Sequence, residues 1–206
     1  WLLRSIVRDS IDLTQTFVEE CGFVCALLAE FGKGPISGSE YNRIVGPESK
    51  KFQVLGLPVK IRRLRENYGV ESSLEPHVLS INQARVCLVH RLGIVGKLDI
   101  DTNGELVMLW RVPEIIAQSP DGKTEFVVDK SGMYLDAGWS AVLRITDKRK
   151  VFKEHEHIRL SYAETTHTLI SLMAFSTSLV QSVDAYANRI GLSQSNPRMT
   201  NDQPAE

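Results

Sequence analysis

FGKGPISGSEYNRIVGPESKKFQVLGLPVKIRRLRENYG, residues 31–69, is the stretch on which the reading of the fold turns. Ser37 stands three residues before Glu40, the spacing of a capping box, in which hydroxyl and carboxylate satisfy backbone donors at a helix start. Gly46 and Pro47 end that short helix on this reading, with a further turn or two running to Val54. Pro58 then opens another helix near its first position, packed through Val59, Ile61 and Leu64, and Gly69 closes it. Between Lys33 and Arg65 eight cations (Lys33, Arg43, Lys50, Lys51, Lys60, Arg62, Arg63 and Arg65) face only Glu40 and Glu48. The segment therefore carries +6, and with a formal net charge of −1 the remainder carries −7.

Outward from that stretch, the preceding residues read as one long helix. Val7, Ile11, Val18, Cys21, Cys25 and Leu28 recur at three, four and seven residues, and Gly32 to Pro35 stop the pattern. Downstream, Ser80 caps a helix reaching Leu92, with VCLV as the competing strand core. From Ile94 the period shortens. Asn103-Gly104 between IVGKLDI and ELVMLWRV predicts a hairpin, because both residues tolerate positive φ. Residues 124–129 read as a strand, and residues 139–146 and 151–160 as a strand pair turning through 147–150. A second capping box, Ser161 with Glu164, opens a helix that reaches Ile190 and ends at Gly191. The fold class is thus α+β: a helical N-terminal half with a helix-turn-helix-like segment, then a small antiparallel sheet and a long C-terminal helix. The expected organisation is 1–93 helical, 94–191 sheet plus helix, and 192–206 a flexible polar tail.

At 206 residues, 43% hydrophobic and 24% charged, the chain is long enough to bury a core and is not compositionally disordered. Serines and threonines interrupt the apolar run from Leu169 to Val183, which excludes a membrane span there. Cys21, Cys25 and Cys87 show no CxxC spacing and read as buried thiols. No signal-peptide pattern follows Trp1, so an intracellular, reducing compartment, cytoplasm or nucleoid/nucleus, is expected.

Catalytic and metal patterns fail on their spacing. Asp99, Asp101, Asn103 and Gly104 match the start of a calcium loop, but its twelfth position is Trp110, which supplies no carboxylate. His155 and His157 alternate as on one face of a strand and lack a third ligand at zinc spacing. No GxSxG, Walker or GxGxxG motif occurs, and no cofactor is implied.

The positive feature that remains is the basic segment, whose two helices with a following sheet resemble the general winged-helix pattern over about a third of the chain. That resemblance implies a non-catalytic nucleic-acid-binding module, in which Lys50, Lys51, Lys60, Arg62, Arg63 and Arg65 contact phosphates or base edges. The alternative is a structural or assembly protein, such as a viral or phage component or a subunit of a larger complex. It would self-associate through the long apolar helices, with Leu172, Leu179 and Val183 as contacts.

Overall fold

The computed structural model describes residues 2–35, 37–128, 134, 135 and 137–192, with the backbone alone for 44, 45, 48 and 49. The fold is α+β: α1 (Leu2–Phe31), α2 (Gly38–Gln53), α3 (Leu57–Tyr68), α4 (Glu75–His90), β1 (Glu105–Gln118), β2 (Glu125–Val127), β3 (Ser140–Lys153) and α5 (Tyr162–Arg189). The flexible tail expected over 192–206 lies, apart from its first residue, outside the described residues.

The chain forms two compact units, and each draws on distant parts of the sequence. One comprises Trp1–Phe17 and Ser72–Ser178, the other Val18–Glu71 and Leu179–Glu206. The change from helix to sheet expected after residue 93 is present, but it separates types of element rather than compact units. α1 and α5 each contribute one portion to one unit and the rest to the other.

In the first unit the sheet order is β2-β1-β3, all antiparallel. β1 buries Leu106, Met108, Trp110, Val112 and Ile116, the alternation that a strand with one core face requires. On the edge of β1 away from β3, the amide of Leu109 donates to Ser80 Oγ of α4 at 2.9 Å and that of Arg111 to Ser171 Oγ of α5 at 2.7 Å. Helix hydroxyls thus satisfy part of an edge that no strand covers. Pro113 shares the parity of Leu109 and Arg111, so its missing N–H falls on that edge and costs the β1–β3 ladder nothing.

Four sequence expectations are corrected in detail. The helix expected to stop at Gly46 continues through Pro47 to Gln53. Its far end is held by Phe52, which packs on α1 so closely that a Cβ on Gly22 would meet its ring at 2.8 Å. Burying an aromatic side chain is worth roughly 1.5–3 kcal/mol, comparable to the cost of an internal proline. α4 begins at Glu75 rather than at Ser80, whose hydroxyl instead donates to the His77 carbonyl at 2.8 Å.

The hairpin at Asn103-Gly104 does not form. Ile94 makes only an isolated bridge to His157, and the residues from Val95 to Thr102 are turns and irregular backbone rather than strand. Side chains outcompete the ladder there: Asp101 Oδ1 accepts the amides of Asn103 at 2.8 Å and Glu105 at 3.1 Å. Lastly, β3 runs straight through residues 147–150, where a turn was expected. β1 supplies an uninterrupted partner from Glu105 to Gln118, and the charges find counterions: Asp147 with Arg111, Lys148 with Glu114 and Lys150 with Glu164.

Candidate interaction surfaces

The six basic residues singled out in the sequence do not form one face. In the second unit, α2 and α3 are joined by Val54, Leu55 and Gly56, a tighter turn than the broken helix of the sequence reading implied. The Ser37 capping box is present at the start of α2: the Ser37 amide donates to Glu40 Oε2 at 2.9 Å and the Glu40 amide to Ser37 Oγ at 3.3 Å. Gly69 ends α3 at φ 62°, a left-handed conformation that glycine adopts without steric cost.

Lys50 and Lys51 lie exposed in the last turn of α2, and Arg62 and Arg65 are exposed on α3. Arg63 is half-buried beside Gly22, Phe23, Phe52, Asn67 and Tyr68. Lys60 is different. It has no solvent exposure, sits among the buried residues Leu57, Ile61 and Leu64, and pairs with Glu19 of α1. An ammonium held there is a structural cation and is removed from the set that could meet a phosphate. The reason is α3's own period: position 60 stands three residues after Leu57 and four before Leu64, on the inward stripe.

The acidic and histidine candidates resolve locally. Asp99 is buried, and its carboxylate accepts Arg91 Nε at 2.6 Å and the Gly96 amide at 2.9 Å. Burial pushes its acidity towards the neutral form, but the Arg91 hydrogen bond and the Gly96 amide outweigh it and hold the carboxyl below its usual range. That carboxylate is committed to Arg91 and is no calcium ligand. His155 lies in a turn at φ 68° and His157 in an isolated bridge, so the strand face that would have aligned them is missing. Among the described residues no three His, Cys, Asp or Glu side chains gather at metal-binding distance.

No protein-family model, curated protein or solved structure matches the chain.

Cys21, Cys25 and Cys87 are buried, and burial pushes their thiols up to about 11, 12 and 11 respectively, which keeps them protonated and unreactive at neutral pH. Among the described residues no helix is long and apolar enough to cross a membrane.

The sequence reading expected the two long apolar helices to associate but did not pick out the residues that form the apolar surface of the first unit. Ser10, Leu13, Thr14 and Phe17 of α1 and Leu169, Leu172, Met173, Ser176 and Thr177 of α5 line an open groove of about 500 Å³. Leu13 is 72% exposed and Met173 70%, both standing at its rim. Leu172, expected as an association contact, is instead buried, as is Leu179 in the second unit; both are core residues. The signal was present in the sequence as apolar residues lying off the main stripe of α1, but helical period alone does not say which of two apolar neighbours faces inward.

Proposed function

We propose that the chain is a non-catalytic assembly protein that associates with further copies of itself through α1 and α5. The supporting observation is the groove, with Leu13 and Met173 protruding beside it. Two long apolar side chains exposed by 70% or more against a concave apolar strip form a patch that solvent does not favour. One surface here carries both the protrusions and the depression, which is what a self-complementary contact between two copies needs. Leu13→Glu and Met173→Glu place charge on that surface without touching the core. Light scattering should show the wild-type oligomer losing mass in both variants while far-ultraviolet ellipticity is retained. A wild-type chain that is monomeric at high micromolar concentration contradicts the proposal.

One observation supports a second reading. The three-residue connection between α2 and α3 has the length of a helix-turn-helix turn, and Arg43, Lys50 and Arg62 stand exposed on those two helices. On that reading the module binds nucleic acid by charge, with Lys60 excluded. Replacing Arg43, Lys50 and Arg62 by Ala would then weaken duplex binding and flatten its salt dependence; binding that ignores the triple variant refutes it.

A further inference from the structure

β3 is an edge strand fourteen residues long, and its two halves differ in character. Residues 147–150, Asp-Lys-Arg-Lys, carry the charges that guard natural edges against pairing. Residues 140–146, Ser-Ala-Val-Leu-Arg-Ile-Thr, are largely apolar, and Leu143 and Ile145 are 66% and 50% exposed. Among the described residues no strand pairs with β3 on the side away from β1.

The direction of the free backbone groups follows from β1. The amides of Leu109 and Arg111 point away from β3, towards Ser80 and Ser171. In an antiparallel ladder, residues directly opposite one another point their backbone groups either both inward or both outward. The partners Arg149 and Asp147, and with them Ile145, Leu143 and Ala141, therefore present their N–H and C=O groups to the open edge.

We propose that this half-strand is an interface with a second copy of the chain, pairing antiparallel about a two-fold axis at Leu143 to give a continuous sheet of order β2-β1-β3-β3-β1-β2. The interface is separate from the α1–α5 groove and does not rest on it. Register selects the axis. Centred on Leu143, the pairs are Leu143 with Leu143, Ala141 with Ile145, Val142 with Arg144 and Ser140 with Thr146, and no like charges meet. Centred on Ile145, the strand would set Leu143 against Asp147 and Val142 against Lys148. Centred on Asp147, it would oppose two aspartates and set Arg144 against Lys150, both destabilising. Odd-numbered centres place the axis on a hydrogen-bonded pair and even-numbered ones place it between such pairs. Of the even centres, Arg144 would face its own copy, Thr146 would set Arg144 against Lys148, and Val142 would leave Ile145 and Thr146 beyond the start of β3 at Ser140. The Leu143 axis also builds an apolar row: Ile115, 49% exposed and directly across β1 from Leu143, lines up with Leu143 and with both counterparts in the second copy. Arg144 stays on the opposite face, held to Glu125 at 3.0 Å.

Cysteine crosslinking reads the register directly, and in the Met173→Glu background it does so independently of the groove. Opposed residues in a hydrogen-bonded antiparallel pair have Cα atoms about 5.5 Å apart, within disulfide range. Leu143→Cys should therefore crosslink to itself under mild oxidation. Ile145→Cys should not, because it lies about four residues, roughly 13 Å, from its own copy. An equimolar mixture of Ala141→Cys and Ile145→Cys chains should crosslink heterotypically. The native thiols are buried and contribute little background. Leu143→Cys that stays uncrosslinked overturns the proposal, and so does self-crosslinking of Ile145→Cys as fast as that of Leu143→Cys.

Discussion

Removing the charge of Glu19 and removing the charge of Lys60 should have very different consequences, although the two residues form one ion pair. Lys60 has no exposure on α3, whereas the Glu19 side chain on α1 is 21% exposed. Glu19→Gln leaves an ammonium buried without a counterion, which typically costs about 3–5 kcal/mol. Lys60→Met fills nearly the same volume with an apolar chain and leaves a carboxylate that already reaches water. Replacing a buried charge in this way is close to neutral, within about 1 kcal/mol.

For a chain of this length each kcal/mol moves the melting temperature by roughly 2–4 °C, so Glu19→Gln should lower it by at least about 6 °C. Lys60→Met should stay within about 4 °C of wild type. Thermal melts followed by ellipticity report both compact units. Trp110 and Trp139 belong to the first unit, so their fluorescence reports on that unit. The shift should appear in ellipticity. Equal losses in the two variants, or a Glu19→Gln shift under about 2 °C, would refute the assignment of Lys60 as a buried structural cation.

Ser171→Ala deletes the acceptor of the Arg111 amide on β1 at a fully buried site, and a buried unsatisfied donor should cost about 1–3 kcal/mol in urea unfolding followed by tryptophan fluorescence. Asp99 is held below its unfolded acidity by Arg91 and Gly96, so its contribution is complete above the unfolded value near pH 4 and is lost as the pH falls through the lower folded value. Acid titration of the wild type should accordingly show stability falling below about pH 4, and Asp99→Asn should be less stable at neutral pH with a shallower acid dependence; a parallel acid profile in the variant would refute the role given to Asp99.

The parts of the fold legible in the sequence are those fixed by local chemistry. Both capping boxes follow from side chains that act on their own backbone and the stop at Gly69 from glycine's free access to positive φ, while the change of apolar period marks the α+β class. Readings that depended on a distant partner failed. Pro47 looked like a terminator until Phe52 found its place beside Gly22, and the Asp-Lys-Arg-Lys run looked like a turn until β1 and three counterions straightened it. The reading of Asn103-Gly104 failed for a local reason instead, because Asp101, two residues before Asn103, captured amides that a hairpin needs. At the candidate surfaces, composition marked the cations but not Lys60's inward position, because a count of charges carries no phase. The exposure of Leu13, Met173 and Leu143 was equally out of reach, since an apolar residue reads as core until its neighbours are placed.

Whether the chain assembles with itself is decided by its mass in light scattering with and without a mixed-sequence duplex, at about 50 and 200 mM salt, the range over which phosphate contacts weaken sharply. Self-assembly gives a particle larger than one chain at both salt concentrations, unchanged by the duplex. A monomer that gains mass only with duplex and only at low salt would contradict it and favour the nucleic-acid reading.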